Sequence, residues 1–459
     1  MPQIRDLPDL AAPGSPVEPP TPIVPGLLSR AVKMGWAVGE FAIAAHMAVI
    51  SIYFLFYLVE YQHIPAYAAG LLIFLPRLWN IILDPLIGTV SDRIVSRWGR
   101  RRPFVLAGAV VWGGAFVAMF WPAPSMALGE KIVWFGVTAM LVNTGLSLYH
   151  VPYSAMAAEM TRRSNERLEL VSYKEIVARL SVLLTVMASP LVISAAPSKI
   201  EGYHWMGELV GAAIVLSGAV SVFATRHVPN NRPQLNRLGV AEQLRAIRRN
   251  KPFLLLNSAS FLVAISDAFY SALFVYFVTR SLHFDAAVTG ITYPIGSLAA
   301  VITTALWARL GARIGKSTAF TLALIGLAAC FCLSLLLPLG PRWDVFPFMA
   351  LFGAINGGVF VLPSGLLPDT VDYDEKSSGA RREGAIYGVS TFTAQTGMAL
   401  GTSLVSFYLG LVGPAQPSAD HTQVAISLGY ALGPVAFLLS AAALMAWYRA
   451  FEQSSPPPS

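Results

Sequence analysis

The segment 75–108 constrains the fold of this chain more than any other stretch. It reads LPRLWNIILDPLIGTVSDRIVSRWGRRRPFVLAG, an apolar helix followed by a basic turn and a second apolar helix that begins at Pro103. Steps of three and four residues put Arg77, Asn80 and Asp84 on one face of the first helix. Because an ionised group at membrane depth is costly unless it faces a wet or paired interior, this face is predicted to line an internal site.

The basic turn indicates the orientation of the chain in a membrane. Its cations are Arg93, Arg97, Arg100, Arg101 and Arg102, and such clusters are typical of cytoplasmic loops. The 459 residues are 55% hydrophobic and only 12% charged, which excludes an ordinary soluble domain. The net charge of +7 is accounted for by such loops, so no nucleic-acid partner is expected.

Apolar runs of about 20 residues recur along the chain and predict an all-α polytopic membrane protein with twelve transmembrane helices. The predicted spans are 34–59, 66–90, 103–123, 131–158, 169–196, 204–225, 252–279, 287–311, 317–338, 344–367, 384–413 and 424–448. Cations cluster in the loops after the even-numbered spans up to the tenth. At the opposite ends the only cations are Lys131, Lys199, Arg280 and Arg342. Both termini are therefore expected to be cytoplasmic.

The spans divide into two halves that resemble each other. SDRIVSRWGRR after span 2 corresponds to WARLGARIGK after span 8, and VPYSAMAAEMT in span 4 corresponds to VLPSGLLPDTV in span 10. We expect a six-helix bundle at 30–225, a cytoplasmic loop at 226–251 and a second bundle at 252–451. The polar, proline-rich tails 1–29 and 452–459 are expected to be disordered. Two such halves predict a solute site between them and alternating access by rocking.

Motifs for catalysis are not apparent in the sequence. It has no Walker A motif, and spacing indicates no Ser-His-Asp triad or metal-ligand cluster. The two cysteines, Cys330 and Cys332, lie within one apolar run, so neither a disulfide nor a metal framework is expected. We predict that the protein is not an enzyme and has no cofactor.

The chain resembles the glycoside–pentoside–hexuronide:cation symporters of the major facilitator superfamily, the melibiose permease type. The resemblance covers about residues 30–450. It rests on DPLIGTVSDRIVSRWGRRRPF, VPYSAMAAEMT and LPDTVDYDEKSSGARREGAIYG. It implies a multi-pass protein of the cell (inner) membrane that carries a sugar or glycoside together with a cation.

The resemblance also implies a set of coupling residues. Glu40 fills the place of a family acid that precedes a Phe-Ala pair, and Asp84 matches a family acid that precedes proline. Asn80 and His150 stand where the family has carboxylates. We predict that these four residues form the coupling site and that transport is linked to H⁺ rather than Na⁺, or is uncoupled. Amide and imidazole groups in place of carboxylates weaken a site for a hard cation, whereas protonation needs only one suitable group.

Two further sets of residues are predicted to act in transport. The first is expected to line the solute cavity: Arg77, Ser154, Lys174, Glu175, Arg179, Asp267 and Gln395. The second resembles the cytoplasmic gates of the family: Asp92, Arg93, Arg97, Arg101, Asp369, Asp372, Arg381 and Arg382. An acid on one bundle and a base on the other would close the cytoplasmic side and separate on rocking.

Each of these predictions has a structural alternative. Asp84 could pair with Arg77, Glu175 could neutralise Arg179 one turn away, and the loop charges could serve topology alone. Two other functions also stay open, namely a carrier of an amphiphilic solute such as a lysolipid, and a non-transporting scaffold or sensor. Intramembrane acids speak against the scaffold, because a scaffold gains little from them. The expected partners are a small-molecule solute and the lipid bilayer, with the protein as a monomer.

Overall fold

The computed structural model describes residues 28–94, 96, 98–161, 163–228, 247–339, 342–378, 382–412 and 419–454. Within these ranges the chain is helical and forms no β-strand. This is the expected solution for a chain in hydrocarbon, because a helix pairs its backbone polar groups internally. The predicted tail 1–29 and loop 226–251 lie largely outside the described residues. The last helix ends at Ser454, inside the predicted tail 452–459.

Long helices account for most of the described chain. They are α1 Arg30–Val38, α2 Glu40–Val49, α3 Ala66–Arg93, α4 Arg102–Met119, α5 Leu128–Met160, α6 Ser164–Ala195, α7 Lys199–Thr225, α8 Lys251–Tyr276, α9 Thr289–Ile314, α10 Lys316–Leu333, α11 Val345–Ser378, α12 Glu383–Val412 and α13 Ala419–Ser454. Helices α1 and α2 join at Gly39 and form one nearly continuous rod. Several of these helices extend beyond the predicted spans, because helical backbone continues past the apolar run that a pattern detects.

Eleven helical segments of the described chain are long and apolar enough to cross a membrane. Helix α12 is not among them, although its 30 residues exceed the length that a crossing needs. The physical reason lies in its composition, since a run of small and polar residues interrupts its apolar sequence between Ser390 and Thr396. Of the twelve predicted spans, eleven therefore correspond to helices that are long and apolar enough to cross a membrane.

The rod that begins with α1 and helix α8 are followed by the same local geometry. A π-helical turn, Tyr57–Tyr61, closes the rod that begins with α1, and a second one, Phe277–Ser281, follows α8. Each is followed by a histidine with positive φ, 55° at His63 and 54° at His283. Positive φ is uncommon outside glycine, so its recurrence at matching places extends the similarity of the two halves from sequence to backbone.

Helices pack mainly within each half of the chain. In the first half α4 packs against α5 and α7, α3 against α5, and α2 against α6. In the second half α9 packs against α11, and α8 against both α12 and α13. Glycine allows the closest of these approaches: a Cβ added at Gly353 of α11 would lie 1.9 Å from the carbonyl oxygen of Gly296 on α9. The halves meet where α3 contacts α12 and α6 contacts α9.

Candidate functional site: a polar cavity between the two halves

A cavity of about 540 Å³ lies where the two halves meet. Residues of α2, α3 and α5 form three of its sides, and residues 388–399 of α12 form the fourth. Its volume falls within the roughly 300–1,000 Å³ of typical small-molecule sites. A solute in this cavity would therefore contact both halves of the chain.

Helix α3 contributes the polar face that its sequence predicts. Arg77, Asn80 and Asp84 all line the cavity. Asp84 Oδ1 accepts a hydrogen bond of 2.5 Å from Ser147 Oγ on α5. The alternative pairing of Asp84 with Arg77 is not formed, since no described carboxylate lies within ion-pair distance of the guanidinium, whose Nη2 is 3.9 Å from Met47 Sδ.

An amide pair links α3 to α5 and leaves one acceptor free. Asn80 Nδ2 donates to Asn143 Oδ1 at 3.1 Å, and Asn143 Nδ2 donates to the carbonyl oxygen of Ala139 at 2.9 Å. Asn80 Oδ1 is buried without a partner among the described residues. A buried acceptor without a partner is costly by about 1–3 kcal/mol.

Two histidines also line the cavity. His150, predicted as a coupling residue, lies on α5. His46 on α2 is 3% exposed, and its Nδ1 accepts a hydrogen bond of 3.3 Å from the indole Nε1 of Trp112. This bond places the proton of a neutral imidazole on Nε2, which has no partner among the described residues and can donate. The sequence favours His150 over His46 as a functional residue, because His46 lies off the helical face that carries Glu40.

Glu40 and Lys174 form an ion pair at the contact of α2 with α6. Glu40 Oε2 lies 3.6 Å from Lys174 Nζ, and the glutamate is 8% exposed. Neither residue is among those that line the 540 Å³ cavity. Both stay predicted transport residues, but the structure holds them beside the cavity rather than in its wall.

The other predicted cavity residues are divided by the structure. Gln395 on α12 lines the cavity, whereas Ser154, Glu175 and Arg179 are exposed and lie outside its lining. Asp267 on α8 lines a separate cavity of about 190 Å³ within the second half. Its assignment to the solute cavity is therefore corrected. An acid in an apolar helix indicates a functional site, but not which cavity the acid faces.

The predicted gate residues are only partly described. The side chains of Asp92 and Arg93, and the whole of Arg97 and Arg381, lie outside the described structure. Three ion pairs at this end are Arg101 Nε–Glu159 Oε1 at 2.5 Å, Lys316 Nζ–Asp369 Oδ2 at 2.7 Å and Arg382 Nη1–Asp374 Oδ2 at 3.1 Å. Each joins residues of the same half, and Asp372 lies nearby on α11. A gate that joins the two halves here stays a prediction.

At the opposite end an ion pair does join the halves. Glu60 Oε2 lies 2.6 Å from Arg280 Nη2, and both residues belong to the matching π-helical turns. Phe56 and Tyr276 make an edge-on ring contact beside it, with centroids 4.9 Å apart. The sequence gives Arg280 only as a loop cation and does not single out Glu60.

Besides Thr396 on α12, sequence reasoning missed two polar cavity residues of α5, Asn143 and Ser147. They precede His150 by seven and three residues, so the three side chains share one face of α5. This spacing repeats the pattern of Arg77 and its neighbours on α3, and it could have identified a second polar face.

Membrane-length helices and a polar cavity built from both halves define a multi-pass membrane transporter of the major facilitator fold. The sequence model for MFS/sugar transport proteins matches residues 35–450. The chain belongs to this family, and within it to the glycoside–pentoside–hexuronide:cation symporters, which are transporters and not enzymes.

Curated relatives agree with this assignment, and a solved structure shares the fold. A glucuronide carrier protein homolog of Escherichia coli is 28% identical over 431 residues, with 92% of this chain and 93% of that protein covered. An isoprimeverose transporter of Lactiplantibacillus pentosus is 26% identical over 438 residues, with 93% and 90% covered. The fold is similar to the crystal structure of a bacterial homolog of the human lysosomal transporter Spinster, with a TM-score of 0.69, 14% identity, and 94% and 98% covered.

Proposed function

We propose that the protein carries a sugar or glycoside across the membrane together with a proton, with the solute bound in the 540 Å³ cavity. The observation that carries this proposal is the polar lining from α3 and α5, in particular Asp84 and the Arg77 guanidinium, which has no carboxylate partner among the described residues. Clustered donors and acceptors in a cavity of this size suit a solute with several hydroxyl groups. The glucuronide and isoprimeverose named for the two relatives are both sugar derivatives.

The proton is favoured over sodium by the ligands that the cavity offers. Asp84 is the one carboxylate among the residues that line it, and its neighbours are the amide of Asn80, the hydroxyl of Ser147 and the imidazole of His150. A hard cation requires several oxygen ligands at short distance, and imidazole contributes little to such a site. A proton requires only one group that can change its charge.

The topology is proposed on the same basis. Helix α12 supplies the crossing that brings the total to twelve. It packs against α3 and α8 and is long enough to span the bilayer. The bundles 30–225 and 252–451 then rock about the cavity, with both termini and the loop 226–251 in the cytoplasm. A monomer suffices for this movement, and the basic Arg93–Arg102 turn supports the orientation.

Solute counterflow in proteoliposomes tests the proposal. Vesicles loaded with one unlabelled glycoside take up its labelled form, over a panel of neutral glycosides, pentosides and glucuronides. We expect counterflow with at least one member, and an Asn80→Leu variant should reduce the apparent affinity about tenfold, because it removes a polar group of the cavity wall and its hydrogen bond to Asn143. Counterflow of a lysolipid, with none for any sugar on the panel, would favour the amphiphile carrier instead.

A further inference from the structure

Asp267 lines a cavity of its own inside the second half. This cavity of about 190 Å³ is bounded by α8, α10, α11, α12 and α13. Aromatic and aliphatic side chains form most of its wall, and its other polar members include Ser260, Ser266 and Asn356. No lysine, arginine or histidine is among its lining residues.

The Asp267 carboxylate has no hydrogen-bond or ion-pair partner among the described residues. Ser271 Oγ, one turn further along α8, donates to the backbone carbonyl of Asp267 and not to the carboxylate. The titratable groups that face it are the phenols of Tyr270 on α8 and Tyr293 on α9. An ionised carboxylate in such surroundings is costly, and neither phenol supplies a positive charge. The means of neutralisation open to Asp267 is therefore protonation.

One helix forms a wall of both cavities. Ala394 and Met398 of α12 line the cavity of Asp267, whereas Gln395, Thr396 and Ala399 line the solute cavity. The two sets are interleaved along the helix, so they lie on different faces of it. Any shift or rotation of α12 that accompanies solute binding would change the walls of both cavities together.

Helices α12 and α8 are packed too closely for α12 to move alone. A Cβ added at Gly397 would lie 2.8 Å from the carbonyl oxygen of Phe261, and one at Gly401 would lie 2.6 Å from Ala268 Cβ, next to Asp267. Asn257 Nδ2 of α8 also donates to Thr393 Oγ1 of α12 at 3.0 Å. Such glycine contacts transmit a displacement, because packed helices change between discrete arrangements.

We propose that Asp267 is a proton-binding site of the second half, separate from the solute cavity and linked to it through α12. The carboxylate takes up a proton from water in one arrangement of the helices and returns it to water in the other. Asp267 thereby changes between the neutral and the charged form once in each cycle. The part of this inference that concerns coupling depends on the proposed function, but the presence of a bound proton does not.

Infrared spectroscopy of the reconstituted protein tests proton binding without any solute. The probe is a pH titration of the carbonyl stretch of protonated carboxyl groups, in the wild type and in Asp267→Asn, Asp84→Asn and the surface variant Asp344→Asn. We expect Asp267→Asn to remove a band at neutral pH that Asp84→Asn and Asp344→Asn retain. An unchanged band in Asp267→Asn, with thermal unfolding like that of the wild type, would overturn the proposal.

Transport measurements test the coupling. One pH unit across the membrane supports about tenfold accumulation per coupled proton. With a glycoside that the wild type accumulates, Asp267→Asn is expected to keep counterflow but to lower this accumulation about tenfold, which is the share of one coupled proton, and Asp267→Glu to restore part of it. Accumulation by Asp267→Asn equal to that of the wild type would overturn the coupling role. If the wild type moves no glycoside, the proposed function fails, and the infrared titration still decides the proton site.

Discussion

At the scale of single residues, Asp84 and Arg77 are the two charged side chains in the wall of the solute cavity. They do not pair with each other, and among the described residues the one side chain that donates a hydrogen bond to the Asp84 carboxylate is Ser147. A buried charge without an opposite partner is unfavourable, so each of these groups gains from a solute or a proton. The site is therefore suited to bind a solute and a proton.

Substitution of Asp84 by Asn tests its role in coupling. The amide oxygen can still accept the hydrogen bond from Ser147, so the cavity should keep its shape, but the side chain no longer changes charge. We expect Asp84→Asn to abolish accumulation driven by a pH gradient while some counterflow remains. The measurement is paired uptake and counterflow in proteoliposomes, with the exposed Asp344→Asn as the matched control. Normal accumulation by Asp84→Asn would contradict the assignment.

Helical periodicity makes the residues of a face predictable, but not the cavity that the face meets. The spacing of Arg77, Asn80 and Asp84 is sufficient to place them on one side of α3. The sequence does not show which cavity Asp267 faces. That depends on how α12 packs against α8 at Gly397 and Gly401, which lie far from Asp267 along the chain. Such contacts between distant residues leave no periodic pattern in the sequence.

At the scale of helices, α9 and α11 depend on a contact of backbone with backbone. Gly353→Ala would place a methyl group 1.9 Å from the Gly296 carbonyl oxygen, so the helices would have to separate. Overpacking of this kind costs about 1–3 kcal/mol. We expect a lower unfolding temperature in detergent and reduced yield. Gly114→Ala is the matched control, because an added Cβ there meets nothing within 4 Å; equal unfolding temperatures for the two variants would contradict this reading.

The Glu60–Arg280 pair is expected to hold the matching π-helical turns together at the end opposite the basic turn. Glu60→Gln and Arg280→Gln should each weaken closure at this end and change the counterflow rate several-fold. The exchanged pair, Glu60→Arg with Arg280→Glu, should recover part of the wild-type rate, since the attraction is restored. If the double variant has a counterflow rate no higher than that of Glu60→Arg or Arg280→Glu alone, the pair does not act as a gate.

Helix α12 illustrates where hydropathy fails as a guide. Its polar residues lower its apolar character because they face cavities rather than lipid, with Gln395 and Thr396 toward the solute cavity. The apolar run at 384–413 nevertheless predicts a span. The end of α13 at Ser454 was missed, since helical structure continues beyond the apolar segment.

At the scale of the whole molecule, two halves of similar design enclose the solute cavity. The first half supplies α2, α3 and α5, the second supplies α12, and the Glu60–Arg280 pair joins them at one end. Rocking of these halves would exchange the open side, which is the alternating access expected of this family. The sequence predicts this organisation well, because repeats and charge distribution are spread over the whole chain.

The coupling ion is the most direct test of the account. Purified protein in proteoliposomes is given a glycoside while a pH gradient and a sodium gradient are imposed separately, and external pH is recorded. We predict uptake driven by the pH gradient, about tenfold accumulation per pH unit for each coupled proton, and alkalinisation of the medium when solute is added. Uptake stimulated by sodium at fixed pH, with no response to the pH gradient, would contradict the account.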